Sequence, residues 1–320
     1  MPELVIKNQA VSENVAIETP QLKVRSKDVL AVTSSLFELE FDKNTGWIMS
    51  FNVGNTEMLK AGDFVKPNFW RAPTDNDFGA GINNKYKSWR NPEMKLLEMN
   101  SKIENGLAVI STKYEMTALK AELFLNYEIN NIGAIKITQK LKVGNVQDMP
   151  NMFRFGVNLH VSKWFDGIDY YGRGPIENYA DRNNSTFVGR FKQSVDEQFY
   201  PYIRPQETGN KTDVRWWQQI DRGGKGLLVY SNELLSMSAL NYSIESLDDG
   251  ESKKQSHPAD VEKADFVSLC IDKVQAGLGC VDSWGQITQV RYQLPYKDYE
   301  FSFVIQPIDL KSGSEPFYIK

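Results

Sequence analysis

From Leu30 onward the chain reads in twos. Phe37-Glu38-Leu39-Glu40-Phe41-Asp42 alternates apolar and polar residues, Lys43-Asn44-Thr45-Gly46 supplies turn chemistry, and Trp47-Ile48-Met49-Ser50-Phe51 sets out on the return. Period-two alternation broken by such a turn signals a β-hairpin with one buried face. Similar runs recur at Leu107–Tyr114, Glu122–Ile129, Ile135–Val143, Met152–Val161, Phe187–Phe191, Val214–Ile220, Gly226–Ser231, Ser236–Tyr242, Phe266–Lys273, Thr288–Leu294 and Tyr299–Gln306. No amphipathic helical stretch exceeds about two turns, and only residues 80–93 leave room for a short helix. The expectation is an all-β fold, two large antiparallel sheets packed face to face. One large sandwich is expected over residues 29–320, with residues 1–28 as a polar lead-in or the tail of a preceding domain. Two smaller β domains, cut near 144–150, are the competing arrangement.

Composition narrows the function. A hydrophobic content of 41% and a charged content of 24% suffice for a core, and the net charge of −4 offers no basic stripe for nucleic acid. Two cysteines, Cys270 and Cys280, are too few for a disulfide framework, and with only two histidines a zinc site is disfavoured. Cys270, inside an apolar run, is expected as a small buried hydrophobe. No run is long and apolar enough to predict a membrane-spanning helix, and the first residues do not read as a signal peptide.

Four stretches stand apart from the alternating pattern. The first, Asn68-Phe69-Trp70-Arg71-Ala72-Pro73-Thr74-Asp75-Asn76-Asp77-Phe78-Gly79, is a loop by its Pro, Asx and Gly content. Its Asp75, Asn76 and Asp77 either tie off the loop or form part of a site. The second runs from Tyr170 to Arg182 and carries Arg173, Glu177, Asn178, Asp181 and Arg182 around Gly172, Gly174 and Pro175, which call for a sharp loop. The third, Pro201-Tyr202-Ile203-Arg204-Pro205-Gln206-Glu207-Thr208-Gly209-Asn210, is followed by Arg215 and by Trp216 and Trp217, which point to opposite faces of one strand. The fourth, Gly277 to Gly285, holds Asp282, Ser283 and Trp284. An indole beside polar groups can carry the apolar face of a sugar ring, and equally can plug the edge of a sandwich. A carboxylate pair for glycoside hydrolysis has candidates in Asp75, Asp77, Glu177, Asp181 and Glu207. A Ser–His–Asp arrangement would need His160 or His257; a structural role for His160 and a solvated one for His257 fit better.

These four stretches, in this order, resemble the C-terminal domain of the large-chain β-galactosidases of glycoside hydrolase family 2. Arg71-Ala72-Pro73-Thr74-Asp75-Asn76-Asp77 is similar to that family's R-A-P-x-D-N-D motif. Gly172 to Arg182 is similar to its G-x-G-P-x-E-N-Y-x-D-R motif, Pro205 to Gly209 to its P-x-E-x-G segment, and Asp282-Ser283-Trp284 to its D-S-W loop. The resemblance covers about residues 30–307. It implies a β-supersandwich of galactose-mutarotase type that closes one side of a pocket for a β-galactoside. It implies Trp284 as the residue that stacks on sugar, with Ser283 and Asp282 beside it. It implies Arg71, Asp75, Asn76, Asp77, Glu177, Asn178, Arg182, Glu207 and Asn210 as loop-shaping positions.

The family's catalytic Glu pair lies on a TIM barrel, and no barrel pattern is legible here. The expectation is therefore no catalytic residue and no cofactor in this chain, which would act with a catalytic barrel domain or large subunit. The chain is then either part of a longer polypeptide or a natural small subunit, and the lead-in favours the former. Two other readings remain at this level: an aldose mutarotase or epimerase built on His160, and a stand-alone carbohydrate-binding module.

Overall fold

A computed structural model describes residues 4–9, 19–254, 256–279, 282 and 285–312. The strands are β1 (Gln21–Ser26), β2 (Val29–Thr33), β3 (Phe37–Asp42), β4 (Trp47–Val53), β5 (Thr56–Glu57), β6 (Lys66–Asn68), β7 (Lys95–Glu104), β8 (Leu107–Met116) and β9 (Ala121–Ile129). They continue as β10 (Ile135–Val143), β11 (Arg154–Ser162), β12 (Gly167–Gly174), β13 (Phe187–Ser194), β14 (Lys211–Ile220), β15 (Lys225–Leu240), β16 (Phe266–Gln275) and β17 (Tyr299–Asp309). Every pairing between them is antiparallel.

One layer runs β13-β12-β14-β15-β17-β10-β9-β8-β7. Opposite it lie the sheet β1-β2-β3-β4-β5 and the set β6-β11-β16. Single bridges from Ile48 to Val65 and from Leu59 to Val161 join these two parts. The layers meet through one continuous apolar core, in which the Phe41 and Tyr127 rings sit 5.0 Å apart and the Phe155 and Phe301 rings 5.6 Å apart. The core rests on the alternation read from the sequence: β3 and β9 bury every second residue, and β8 nearly so. β15 belongs to both layers. Its first half pairs with β17 through Lys225–Tyr230, and its second half pairs with β16 through Ser236–Leu240.

Four local expectations change. The two strands expected over 226–231 and 236–242 are one long strand, Lys225–Leu240, because β15 bends from one layer to the other without a turn. Residues 288–294 are not a strand; they contain the short 3-10 turn Val290–Tyr292. The stretch from Tyr170 is strand as far as Gly174, held between β13 and β14, so the sharp loop begins only at Pro175. β7 appears where no alternation marks it, because this edge strand is exposed along most of its length and is defined by its pairing with β8.

The lead-in is partly built into the fold. Residues 21–26 are β1, and Leu4 and Ile6 lie in a second apolar cluster with Trp216, Leu228, Tyr230 and Val304 on the outer face of the long layer. Asn8 donates to the Gly106 carbonyl at 2.8 Å and Asn131 to the Gln9 carbonyl at 2.7 Å, fixing that segment to the sheet. Trp216 and Trp217 do point to opposite faces, and both are buried: Trp217 is in the main core and Trp216 is under this N-terminal cover. No helix among the described residues is long and apolar enough to cross a membrane.

Candidate functional site

The first loop folds back through its own residues. Thr74 and Asp77 form a capping box: Asp77 N donates to Thr74 Oγ1 at 3.2 Å and Thr74 N donates to Asp77 Oδ2 at 2.9 Å, opening the one-turn helix α1 (Asp75–Gly79). Asp77, almost fully buried, also takes both arms of Arg71, Nε at 3.1 Å and Nη2 at 2.7 Å. Breaking such a buried bidentate pair from one side costs about 3–5 kcal/mol. Arg71 has donors to spare. Its Nη1 reaches the carbonyl of Ala276 at 2.7 Å and its Nη2 that of Gly277 at 3.2 Å. The tie-off and site readings of this loop therefore merge, since the same arginine that closes the loop grips the base of the fourth stretch.

Asp181 grips that base from the other side. Its carboxylate accepts from Leu278 N at 3.1 Å, Gly279 N at 2.9 Å and Thr288 Oγ1 at 2.8 Å. Gly277 must be glycine here, because a Cβ would lie 2.4 Å from Asp181 Oδ2. A third contact is backbone on backbone: Gly285, with φ +87°, lies so close to Gly79 that a Cβ would stand 2.4 Å from the Gly79 carbonyl oxygen. Asp282 is exposed and accepts from Gln286 N at 3.2 Å. Ser283, Trp284 and Cys280 lie outside the described residues. Asn76 is half-buried and lines, with Arg71 and Thr288, a small cavity of about 20 Å³ beneath this segment.

The remaining motif residues build the supports. Glu177 accepts from Arg182 Nη2 at 2.8 Å, Thr208 Oγ1 at 3.0 Å, Gly209 N at 2.8 Å and the Tyr202 hydroxyl. Burial, aided by the Glu177 carboxylate, pushes the Tyr202 phenol up to about 12. Asn178 and Asn210 are fully buried and stitch two loops together. Asn210 Nδ2 donates to the Asn178 carbonyl at 2.8 Å, and Asn178 Oδ1 accepts from Thr212 N at 2.9 Å. Glu207 is buried against Arg154 at 3.3 Å, and its backbone N donates to the Ala72 carbonyl at 3.1 Å.

Asp75 is half-exposed and paired with Arg204 at 3.0 Å and Lys253 at 2.8 Å. Partial burial opposes its charge, but the hydrogen bonds from Lys253 and Arg204 prevail and hold its carboxyl below the ordinary range. Asp77, Glu177, Asp181 and Glu207 are likewise committed to cations or N–H and O–H donors within the domain. The structure thus brings the four stretches together but sets no two of these carboxylates as an acid and base facing an open cleft.

Several contributors have roles that the sequence reading did not assign. Arg204, inside the third stretch, bridges Asp75, Asp249 and the Pro73 carbonyl. Arg154, on the polar face of β11, is fully buried with Glu207 and Asp272. Its Nε lies 3.2 Å from Asp272 Oδ2, in a charge contact whose geometry is not that of a hydrogen bond. Burial, opposed by Arg154, raises the Asp272 carboxyl to about 7. Cys270 is buried beside them as expected, and burial lifts its thiol to about 11.

His160 is a structural residue. Its ring stacks on Phe266 at 4.0 Å and its Nδ1 lies 2.5 Å from Asp63 Oδ2, with the side chain 8% exposed. His257 is exposed, at the start of the short turn Pro258–Asp260. Among the described residues, no group of three His, Cys, Asp or Glu side chains is placed to hold a metal ion.

An all-β domain whose loops converge on one Gly-flanked segment is the class that fold and site define. Comparison with known proteins gives the family: the model of the β-galactosidase small chain matches residues 33–305, and this chain belongs to that family. It is 33% identical over 310 residues to a β-galactosidase of Priestia megaterium, covering 96% of this chain and 29% of that protein. It is 31% identical over 313 residues to a β-galactosidase of Lactobacillus delbrueckii subsp. bulgaricus, covering 94% and 30%. The chain thus spans about 30% of the length of these relatives. The solved structure of HI1317 aligns over 90% of this chain and 99% of its own, at 9% identity and a TM-score of 0.43.

Proposed function

We propose that this chain is the part of a retaining β-galactosidase that completes the sugar pocket, with the catalytic Glu pair supplied by a barrel domain or large subunit. The observation that carries this is the convergence on residues 276–288. Arg71 from the first stretch, Asp181 from the second and Gly79 at the end of α1 all fix the feet of the segment that bears Asp282, Ser283 and Trp284. Three anchors on one short segment support a role in positioning, since a binding side chain must be held within a fraction of an ångström. Trp284 would stack on the sugar, with Ser283 and Asp282 beside it. Arg71, Asp77, Glu177, Asn178, Glu207 and Asn210 would shape the pocket without touching substrate. The committed state of the five candidate carboxylates fits a chain that does no acid–base chemistry on its own.

The test is complementation. The 320-residue chain alone should leave a chromogenic β-galactoside intact. Co-expressed with the remainder of a β-galactosidase relative that lacks this region, it should restore hydrolysis. In the restored enzyme Trp284→Ala should lower kcat/KM by about tenfold or more, the scale of one lost stacking contact. Enzyme-like hydrolysis by the chain alone would overturn the reading, as would failure of the folded chain to restore activity.

A further inference from the structure

A second concave feature borders the 175–182 loop and takes no part of its lining from the anchored segment. It encloses about 490 Å³ between that loop and residues 198–202, a size suited to a small ligand. Its charged lining is balanced, with Glu177 and Glu197 against Arg182 and Lys211. An ion of either sign gains little there, so the chemistry favours a neutral guest.

The groove offers an aromatic platform. Tyr200 is 57% exposed, and its ring lies 4.6 Å from that of Tyr202. The backbone of Tyr200 and the ring of Tyr202 are held before any ligand arrives. Tyr200 N donates to Thr208 Oγ1 at 3.1 Å, and the Tyr202 hydroxyl is locked between Arg182 and Glu177. Preorganisation of this kind lowers the entropy lost on binding.

It also holds two unmatched polar atoms of opposite kind. Gln198 is 3% exposed, and its Oε1 accepts from Lys211 Nζ at 2.7 Å, which leaves Nε2 as a buried donor without a partner among the described residues. Gln193 Oε1 is a buried acceptor in the same condition. Both residues line the groove. Leaving such groups unpaired costs about 1–3 kcal/mol each, which a suitable guest recovers. A sugar hydroxyl both gives and takes hydrogen bonds, so a polyhydroxylated guest can match a donor and an acceptor together.

We propose that this groove is a saccharide-binding site separate from the pocket of Trp284, in which a neutral pyranose lies on Tyr200 and the Gln198 and Gln193 amides turn toward it, so that its hydroxyls accept from Gln198 Nε2 and donate to Gln193 Oε1. The inference does not depend on the proposed catalytic partnership. The experiment is ligand-observed saturation-transfer NMR on the 320-residue chain with lactose, repeated with inorganic phosphate as an anionic probe.

Tyr200→Ala should weaken lactose binding by about tenfold. Tyr200→Phe should retain binding, because it keeps the platform, and Tyr200→Ala should remove the same share of lactose transfer when made in a Trp284→Ala background. Gln198→Leu, read beside a thermal melt that confirms folding, should weaken it as well. The proposal fails if wild type shows no transfer to lactose at millimolar concentration, if Tyr200→Ala binds as wild type does, or if Trp284→Ala alone abolishes binding. It also fails if phosphate displaces lactose.

Discussion

At the residue scale, Lys211 shows how the domain uses charge. Its Nζ is almost fully buried and satisfied by Gln198 Oε1 at 2.7 Å and the Gly209 carbonyl at 3.1 Å, yet burial outweighs the nearby Glu177 and draws the amine down to about 8. An unfolded lysine titrates near 10.4. Between about pH 8 and 10 the unfolded chain therefore binds the extra proton, and this residue makes folding more favourable as pH rises, by at most about 1.4 kcal/mol per unit. Urea denaturation across that range should show the slope, and Lys211→Met should flatten it. The sequence could not reveal this lysine, because an isolated Lys in a polar run reads as solvated. Glu177, Asn178 and Asn210, by contrast, were singled out by their motifs, although the bond from Asn210 to the Asn178 carbonyl was not legible there. The partners that set their roles, such as Tyr202 and Thr208, are held by tertiary closure and leave no local pattern.

At the scale of elements, alternation named most strands because one buried face imposes a period of two. It failed where that condition failed. β7 has two exposed faces. β11 was named as a strand, but its residues are buried on both faces: on the side expected to be polar, Arg154 and His160 meet Glu207 and Asp63 from loops, and Asn158 meets Ser268 of β16. Residues 288–294 imitate a strand in composition, but they serve to return Thr288 to Asp181. The 276–288 segment owes its path to contacts from remote loops, so its shape could not be read locally even though its Gly residues could. Gly285→Ala should push Gly79 away and misplace the segment, cutting kcat/KM about tenfold or more in the complementation assay. Gly62→Ala is the control: its φ of +81° is also left-handed, but nothing stands within 4 Å of the added Cβ, so activity should hold.

Across the whole molecule, the expectation of two antiparallel sheets face to face is met, with a long layer on one side and a composite layer on the other. The apolar patch Leu4-Val5-Ile6 was visible in the sequence, but its docking place was not, since Trp216 and Tyr230 lie more than two hundred positions away. Leu4 and Ile6 cover that outer face. Replacing both with Ser should destabilise the fold by about 2–5 kcal/mol, measured as a lower urea midpoint with little change in slope.

The place of β17 between β15 and β10 bears on how the chain leaves the ribosome. Before Tyr299–Asp309 emerges, the long layer exists only as two half-sheets, β13-β12-β14-β15 and β10-β9-β8-β7, each with a bare inner edge. Such edges invite pairing with other chains. The strands from β7 to β16 must therefore wait in an unsealed form, and β17 acts as the closing seam that turns two sticky halves into one sheet.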